Sequence, residues 1–170
     1  MDGAAFVDAR WVHAANAMTF NTAIDDQVRN GCWTSAESSK DVVELELIRS
    51  GATLEEEDGF HPSVFVSALG HETGDYHCAV NVELSVWAAT ASSFVREGRE
   101  IGTLTHTLLW SSNSLLTGDR VSMNERIRST HQQLIQKFLI ALEKNDRYAR
   151  EQMIESVGEE HAAFWKAILE

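Results

Sequence analysis

The chain predicts an α+β fold: a four-stranded antiparallel meander sheet with helices on one face (an α-β-β-β-β-α core), preceded by an N-terminal helix and followed by a helical tail. Three observations carry that prediction. Strand-period alternation runs through the middle of the chain, helix-period apolar stripes flank it on both sides, and strands follow strands instead of alternating strictly with helices. The 170 residues, 44% hydrophobic and 24% charged, suit one domain. A chain of this length buries roughly 70% of its unfolded surface and needs no metal or disulfide to hold together. We expect a single domain over residues 1–145, made of an N-terminal segment (1–35) and a core (36–145), with a tail over 146–170.

Ala4, Phe6, Val7, Trp11, Ala14, Ala15 and Met18 fall at helical spacing and predict a short helix ending near Ala17. After a polar stretch, a second helix is expected from Ala36 to Ser50. Val43, Leu47 and Ser50 form its buried stripe, flanked by Val42, Leu45 and Ile48, and Gly51 takes the place of a helix-ending glycine. A short strand from Ala52 to about Glu56 completes the sheet. Pro62 to Gly70 and Tyr76 to Ala88 are joined by the turn around Thr73-Gly74-Asp75. In the second of these strands Cys78, Val80, Val82, Leu84 and Val86 point one way, while His77, Ala79, Asn81, Glu83, Ser85 and Trp87 point the other. Setting position 71 opposite 77 brings Ala68 to Val80, Val66 to Val82 and Val64 to Leu84, which gathers one apolar face.

A later strand, Ile101 to Ser111, is expected to add Leu104, His106, Leu108 and Trp110 to that core face and Thr103, Thr105 and Thr107 to the other. The longest helix follows. Ser122-Met123-Asn124-Glu125 fits a capping box, with Asp119 as the competing N-cap, and Met123, Ile127, Leu134, Ile135, Phe138 and Leu142 repeat at helical intervals to an end near Asn145. Tyr148 to Val157 and His161 to Leu169 read as two short amphipathic helices divided by Gly158.

Fourteen Lys and Arg against 26 Asp and Glu leave a net charge of −12. Binding phosphate polyanions rests on clustered cations, so nucleic acid is not the expected partner. No apolar run approaches the roughly 20 residues of a membrane span. The charge is uneven: Glu37 to Asp58 holds eight acidic and two basic residues, whereas Asp119 to Arg150 holds seven basic and four acidic ones.

Catalytic signatures are missing. There is no Gly-x-Ser-x-Gly elbow, no phosphate-cradling glycine loop, and no sign of a cofactor. In the proposed register His71 and His77 are cross-strand neighbours, which makes them weak candidates for a shared metal; a polar hairpin end explains them equally well. His106, in the row of Leu104 and Leu108, reads as a hydrogen-bonded core histidine. Glu55, Glu56, Glu57 and Asp58 read as a solvated run. The clearer clue is the sheet face left uncovered by the helices. It is rich in Ser and Thr, with one charge, Glu83, and Phe65, Asn81, Trp87, Thr105 and Thr107 are its candidate binding residues. The tail carries Tyr148, Phe164 and Trp165, expected at a homo-oligomer interface.

Cys32 and Cys78 are the two cysteines, and from spacing alone they are either a bridge closing a loop of about 45 residues or two separate buried thiols. Asp2 and Asp8 stand where a secretory signal would place Lys or Arg, so no signal peptide is expected in Met1 to Met18: either the protein is cytosolic, or a signal has been replaced by a new start Met. The run Val42-Val43-Glu44-Leu45-Glu46-Leu47-Ile48-Arg49-Ser50-Gly51, the hairpin after it, and Leu109-Trp110-Ser111 leading through Leu116-Thr117-Gly118 into a helix with Gln136-Lys137-Phe138 resemble small exported bacterial α+β domains of unassigned function. The likeness spans about Val42 to Asn145. It implies a periplasmic or extracellular location, which favours the Cys32 to Cys78 bridge. The expected function is non-enzymatic binding or assembly with a protein partner, through the uncharged sheet face or the acidic helix and loop. The alternatives are a cytoplasmic acidic chaperone, inhibitor or immunity-type protein for a basic client, and a small enzyme with a histidine-containing pocket.

Overall fold

The computed structural model describes residues 9–55, 61–74 and 76–156. Its elements are α1 (Ala9–Ala17), β1 (Thr19–Val28), α2 (Ala36–Arg49), β2 (Thr53–Leu54), β3 (Ser63–Gly74), β4 (His77–Arg96), β5 (Arg99–Asp119) and α3 (Arg120–Ser156). The expected α+β class holds, but the sheet is five-stranded and mixed, in the order β2-β1-β3-β4-β5. Strands β3, β4 and β5 form the antiparallel meander, and β1 runs parallel to both β2 and β3.

Strand β1 corrects the expected polar stretch after the first helix. Phe20, Thr22, Ile24 and Val28 share one side of it, with Phe20 buried and Ile24 and Val28 packed on the core, while Asn21, Asp25 and Gln27 alternate with them. Polar residues outnumber apolar ones in the segment and hide that period. Parallel pairing needs a long crossover, which α2 supplies. The short strand after α2 is therefore not part of the meander: β2 lies at the far edge, beside β1.

Helix α2 starts and stops as expected, and Gly51 ends it with φ +92°, a conformation that costs a residue without a Cβ least. Val42, Val43 and Leu47 are buried, but Leu45, Ile48 and Ser50 face solvent.

The β3–β4 pairing differs from the expected register by two residues: Val64 meets Val86, Val66 meets Leu84 and Ala68 meets Val82. A shift of two keeps every side chain on its face, so the apolar set was placed correctly and its partners were not. His71 lies opposite Ala79 and His77 opposite Gly74, so these two histidines are not cross-strand neighbours.

A β-bulge corrects the face assignment of β5. Val86 pairs with Trp110 and Trp87 with Leu108, leaving Leu109 as the extra residue. One inserted residue reverses the phase of the strand beyond it. Trp110 keeps its expected core side, with its ring 5.6 Å from that of Phe138. Past the bulge, Leu104, His106 and Leu108 turn to the uncovered face, and Thr103, Thr105 and Thr107 turn to the helix side. There the Thr107 hydroxyl accepts from Arg10 Nη1 of α1 at 3.2 Å. The β4–β5 hairpin is also longer than expected, closing at Glu97-Gly98, both at positive φ (+53° and +73°), as a two-residue loop between right-twisted strands requires.

Asp119, the competing cap, is the one used. Its Oδ1 accepts the Ser122 amide at 2.8 Å and its Oδ2 the Ser122 hydroxyl at 2.7 Å, and these hydrogen bonds hold its carboxyl below the usual range. Helix α3 does not stop near Asn145 but continues unbroken to Ser156. The helices cover one sheet face. Val64, Val66, Val80, Val82 and Leu84 meet Val43, Leu47, Met123, Ile127, Ile135 and Phe138 there, all fully buried, and Phe138 stacks edge-on against Phe20.

Cys32 and Cys78 form a disulfide that ties the loop after β1 to the start of β4, with both residues buried. Among the described residues no helix is long and apolar enough to cross a membrane. Ala4, Phe6, Val7, Asp75, the Glu56, Glu57 and Asp58 part of the acidic run, and the tail beyond Ser156, including Phe164 and Trp165, lie outside the described residues.

Candidate functional site

The face away from the helices is built by alternation. Once Val64, Val66, Val82 and Leu84 point into the core, Ser63, Phe65, Ser67, Asn81, Glu83, Ser85 and Trp87 must point out of it. Strand β1 adds Asp25 and Gln27, and the bulge swings His106 round to join them. Together these residues line a hollow of about 600 Å³. A second hollow of about 770 Å³ adjoins it, lined by Arg29, His71 and Leu115 among others, and shares Gln27, Leu69 and Asn81 with the first. The two make one elongated trough lying across β1, β3, β4 and β5.

Its apolar content is Phe65, Trp87 and Leu69, and Leu115 stands 69% exposed at one end. Trp87 is held by its own indole, which donates to Ser85 Oγ at 3.2 Å. Glu83 occupies the middle, between Ser67 on β3 and Asn113 on β5. Gln27 donates to both oxygens of Asp25. The lining of the first hollow thus holds two carboxylates and no Lys or Arg among the described residues.

Three of the five expected binding residues, Phe65, Asn81 and Trp87, come together here. Thr105 and Thr107 do not: the bulge puts them on the other face. Among the described residues no group of three or more His, Cys, Asp and Glu could hold a metal ion, and Glu55 of the acidic run pairs instead with His61 at 2.9 Å. Tyr148 is exposed on α3.

His131 escaped the sequence argument. Fully buried on α3, it reaches up beneath the trough, with Nε2 3.1 Å from the Ser67 carbonyl and 3.3 Å from that of Glu83. Two carbonyls at Nε2 fix the proton there. Burial pushes its pKa down to about 4, against the two carbonyl hydrogen bonds that favour the charged form. A neutral imidazole therefore braces the backbone of the two strands whose side chains make the trough's centre. Its place in the series Ile127, His131, Leu134, Phe138, at helix spacing, was a signal of burial available in the sequence.

No family model matches the chain, and no curated protein matches it. Among the solved structures that match is the crystal structure of the rare lipoprotein B from Shewanella oneidensis, with 9% identity and a TM-score of 0.34 over 75% of this chain and 97% of that one. A likeness at that level carries no argument about what this chain does.

Proposed function

We propose that the protein is an exported, non-enzymatic binding protein whose trough takes an extended segment of a protein partner, with basic side chains interspersed among apolar ones. The observation that carries this is the trough's lining: aromatic Phe65 and Trp87 beside the carboxylates of Asp25 and Glu83. Apolar side chains of the segment pack on the rings. Its Lys or Arg side chains meet the carboxylates and the ring faces. Two adjoining hollows suit an extended chain better than a compact small molecule. The net charge of −12 draws such a segment in from solution.

The buried Cys32–Cys78 bridge supports an oxidising compartment, because thiols in the cytosol are kept reduced. The test is a fluorescence-anisotropy titration with a labelled peptide of alternating Lys and Leu. Trp87→Ala is expected to weaken binding by about tenfold, as loss of an aromatic anchor does; equal affinity for wild type and variant contradicts the assignment.

A further inference from the structure

The trough is not uniform along its length. Its two hollows follow one another along β3, with Phe65 and Ser67 lining the first, His71 the second and Leu69 both. Strand pairing sorts the face into rows that cross the sheet. At one end Ser63 lies opposite Trp87 and Trp87 opposite Leu108; in the next row Phe65 lies opposite Ser85, and neither row carries a charge. The middle row sets Asp25, Ser67, Glu83 and Asn113 side by side, which puts both carboxylates in one band. Leu69 and Leu115 follow, both exposed. At the far end Arg29 and His71 line the second hollow, with the small Ala79 opposite His71. Arg29 is exposed, and no carboxylate among the described residues forms an ion pair with it. Asp26, which also lines this hollow, accepts the Val28 amide at 2.9 Å, and Glu72, next to His71, lies 3.9 Å from Arg120. A guanidinium presents a planar fork of donors, and an imidazole keeps an N–H in either protonation state, so Arg29 and His71 both offer hydrogen bonds to an anion.

We propose that the second hollow takes a carboxylate, an Asp or Glu side chain of the bound segment, so that the trough selects the order of charge along its partner. This rests on the trough being a site for an extended protein segment, and it adds where each side chain falls. A segment lying along β3 turns every second side chain to the sheet and rises at the same rate as the strand beneath it. Ser67 and His71 are four residues apart, roughly 13 Å. A basic residue over Asp25 and Glu83 therefore puts the residue four positions along over Arg29 and His71. The facing residue between them meets Leu69 and Leu115, and those two and four positions back meet Phe65 and Trp87. The facing side chains thus run apolar, apolar, basic, apolar, acidic. Charge complementarity fixes the last of these. A carboxylate over the first hollow meets Asp25 or Glu83, and the net charge of −12 repels it from most of the surface, whereas Arg29 and His71 stabilise it.

Isothermal titration of the full chain with peptides that are acetylated and amidated, so that side chains alone carry charge, tests this. Leu-Ser-Leu-Ser-Lys-Ser-Leu-Ser-Glu is expected to bind about fivefold more tightly than the same peptide ending in Gln, as one partly exposed ion pair allows, although net charge favours the more positive Gln peptide. Exchanging its Lys and Glu, which sets the acid over Asp25 and Glu83 in either chain direction, should abolish binding. Arg29→Glu is expected to invert the selection, binding a peptide that ends in Lys more tightly than the one that ends in Glu. Lys144→Glu, the same change of charge on α3 and away from the trough, keeps the wild-type order. Because Arg29 is exposed, circular dichroism of its variant should match wild type. Equal affinities for the Glu and Gln peptides, or an Arg29→Glu protein that keeps the wild-type order, overturn this inference and leave the trough's role as a peptide site standing. A wild type that binds none of these peptides, nor the peptide of alternating Lys and Leu, overturns both.

Discussion

The two faces of one sheet do opposite work here. Facing the helices, β3 and β4 present Val64, Val66, Val80, Val82 and Leu84, each sealed from solvent. One residue along in each strand, the other face presents Ser67, Asn81, Glu83 and Trp87, with large apolar groups left in the open. The first face pays for the fold through burial, roughly 25 cal/mol per Å² of apolar surface. The second contributes little to stability, and its aromatic rings are the more telling for that, since polar residues would serve an idle surface better.

That contrast can be broken by mutation. Phe138, buried between Phe20 and Trp110, is expected to cost about 4 kcal/mol when replaced by alanine, as large core truncations do. Phe65→Ala on the trough face is expected to cost less than about 1 kcal/mol, in line with partly exposed positions. Urea denaturation of both variants checks the pair, and similar losses would mean that the trough face is structural.

His131 joins the two faces and gives the next effect. In the unfolded chain its imidazole titrates near 6.5, and in the folded protein near 4. Between those values the unfolded state holds the extra proton. Stability from this group is therefore full above pH 6.5 and is lost as pH falls toward 4, by about 3 kcal/mol in all. Denaturation curves across that window should show the loss in wild type and a flatter profile in His131→Leu, whose ring no longer has to be protonated. The smallest effect concerns the junction from which α3 folds back over the covered face. Asp119→Ala removes the cap on Ser122 and is expected to lower the thermal midpoint by a few degrees in a calorimeter, leaving the trough intact.

Much of this contrast was legible in the sequence, and the exceptions have physical causes. The alternation in β4 assigned both faces of that strand, because a strand's side-chain period is fixed at two whatever its partner. The same indifference to the partner is why the register against β3 came out two residues away: either pairing buries the same valines. In β5 the alternation was real, but Leu109 resets its phase, and a bulge leaves no mark in a single sequence beyond the clash it resolves. Without it, Thr107 would face the trough and His106 the core. The Glu97-Gly98 turn did leave a mark, a glycine between two alternating runs, which could have extended the hairpin to its true length. Strand β1 was missed because Asp25, Asp26 and Gln27 crowd its exposed end. Phe65 on β3 and Asn81 and Trp87 on β4 fall on one face because each strand's own alternation assigns its residues there. His131 was not found, because a polar residue in an apolar helix stripe declares burial without naming what it will touch.

The central claim is that the open face is a binding trough in which Glu83 reads positive charge. Isothermal titration of the Lys and Leu peptide into wild type and Glu83→Lys, at the same ionic strength, tests it most directly. A reversed charge in the middle of the trough should abolish the heat of binding while circular dichroism stays unchanged. Undiminished binding by the folded Glu83→Lys protein would contradict the account.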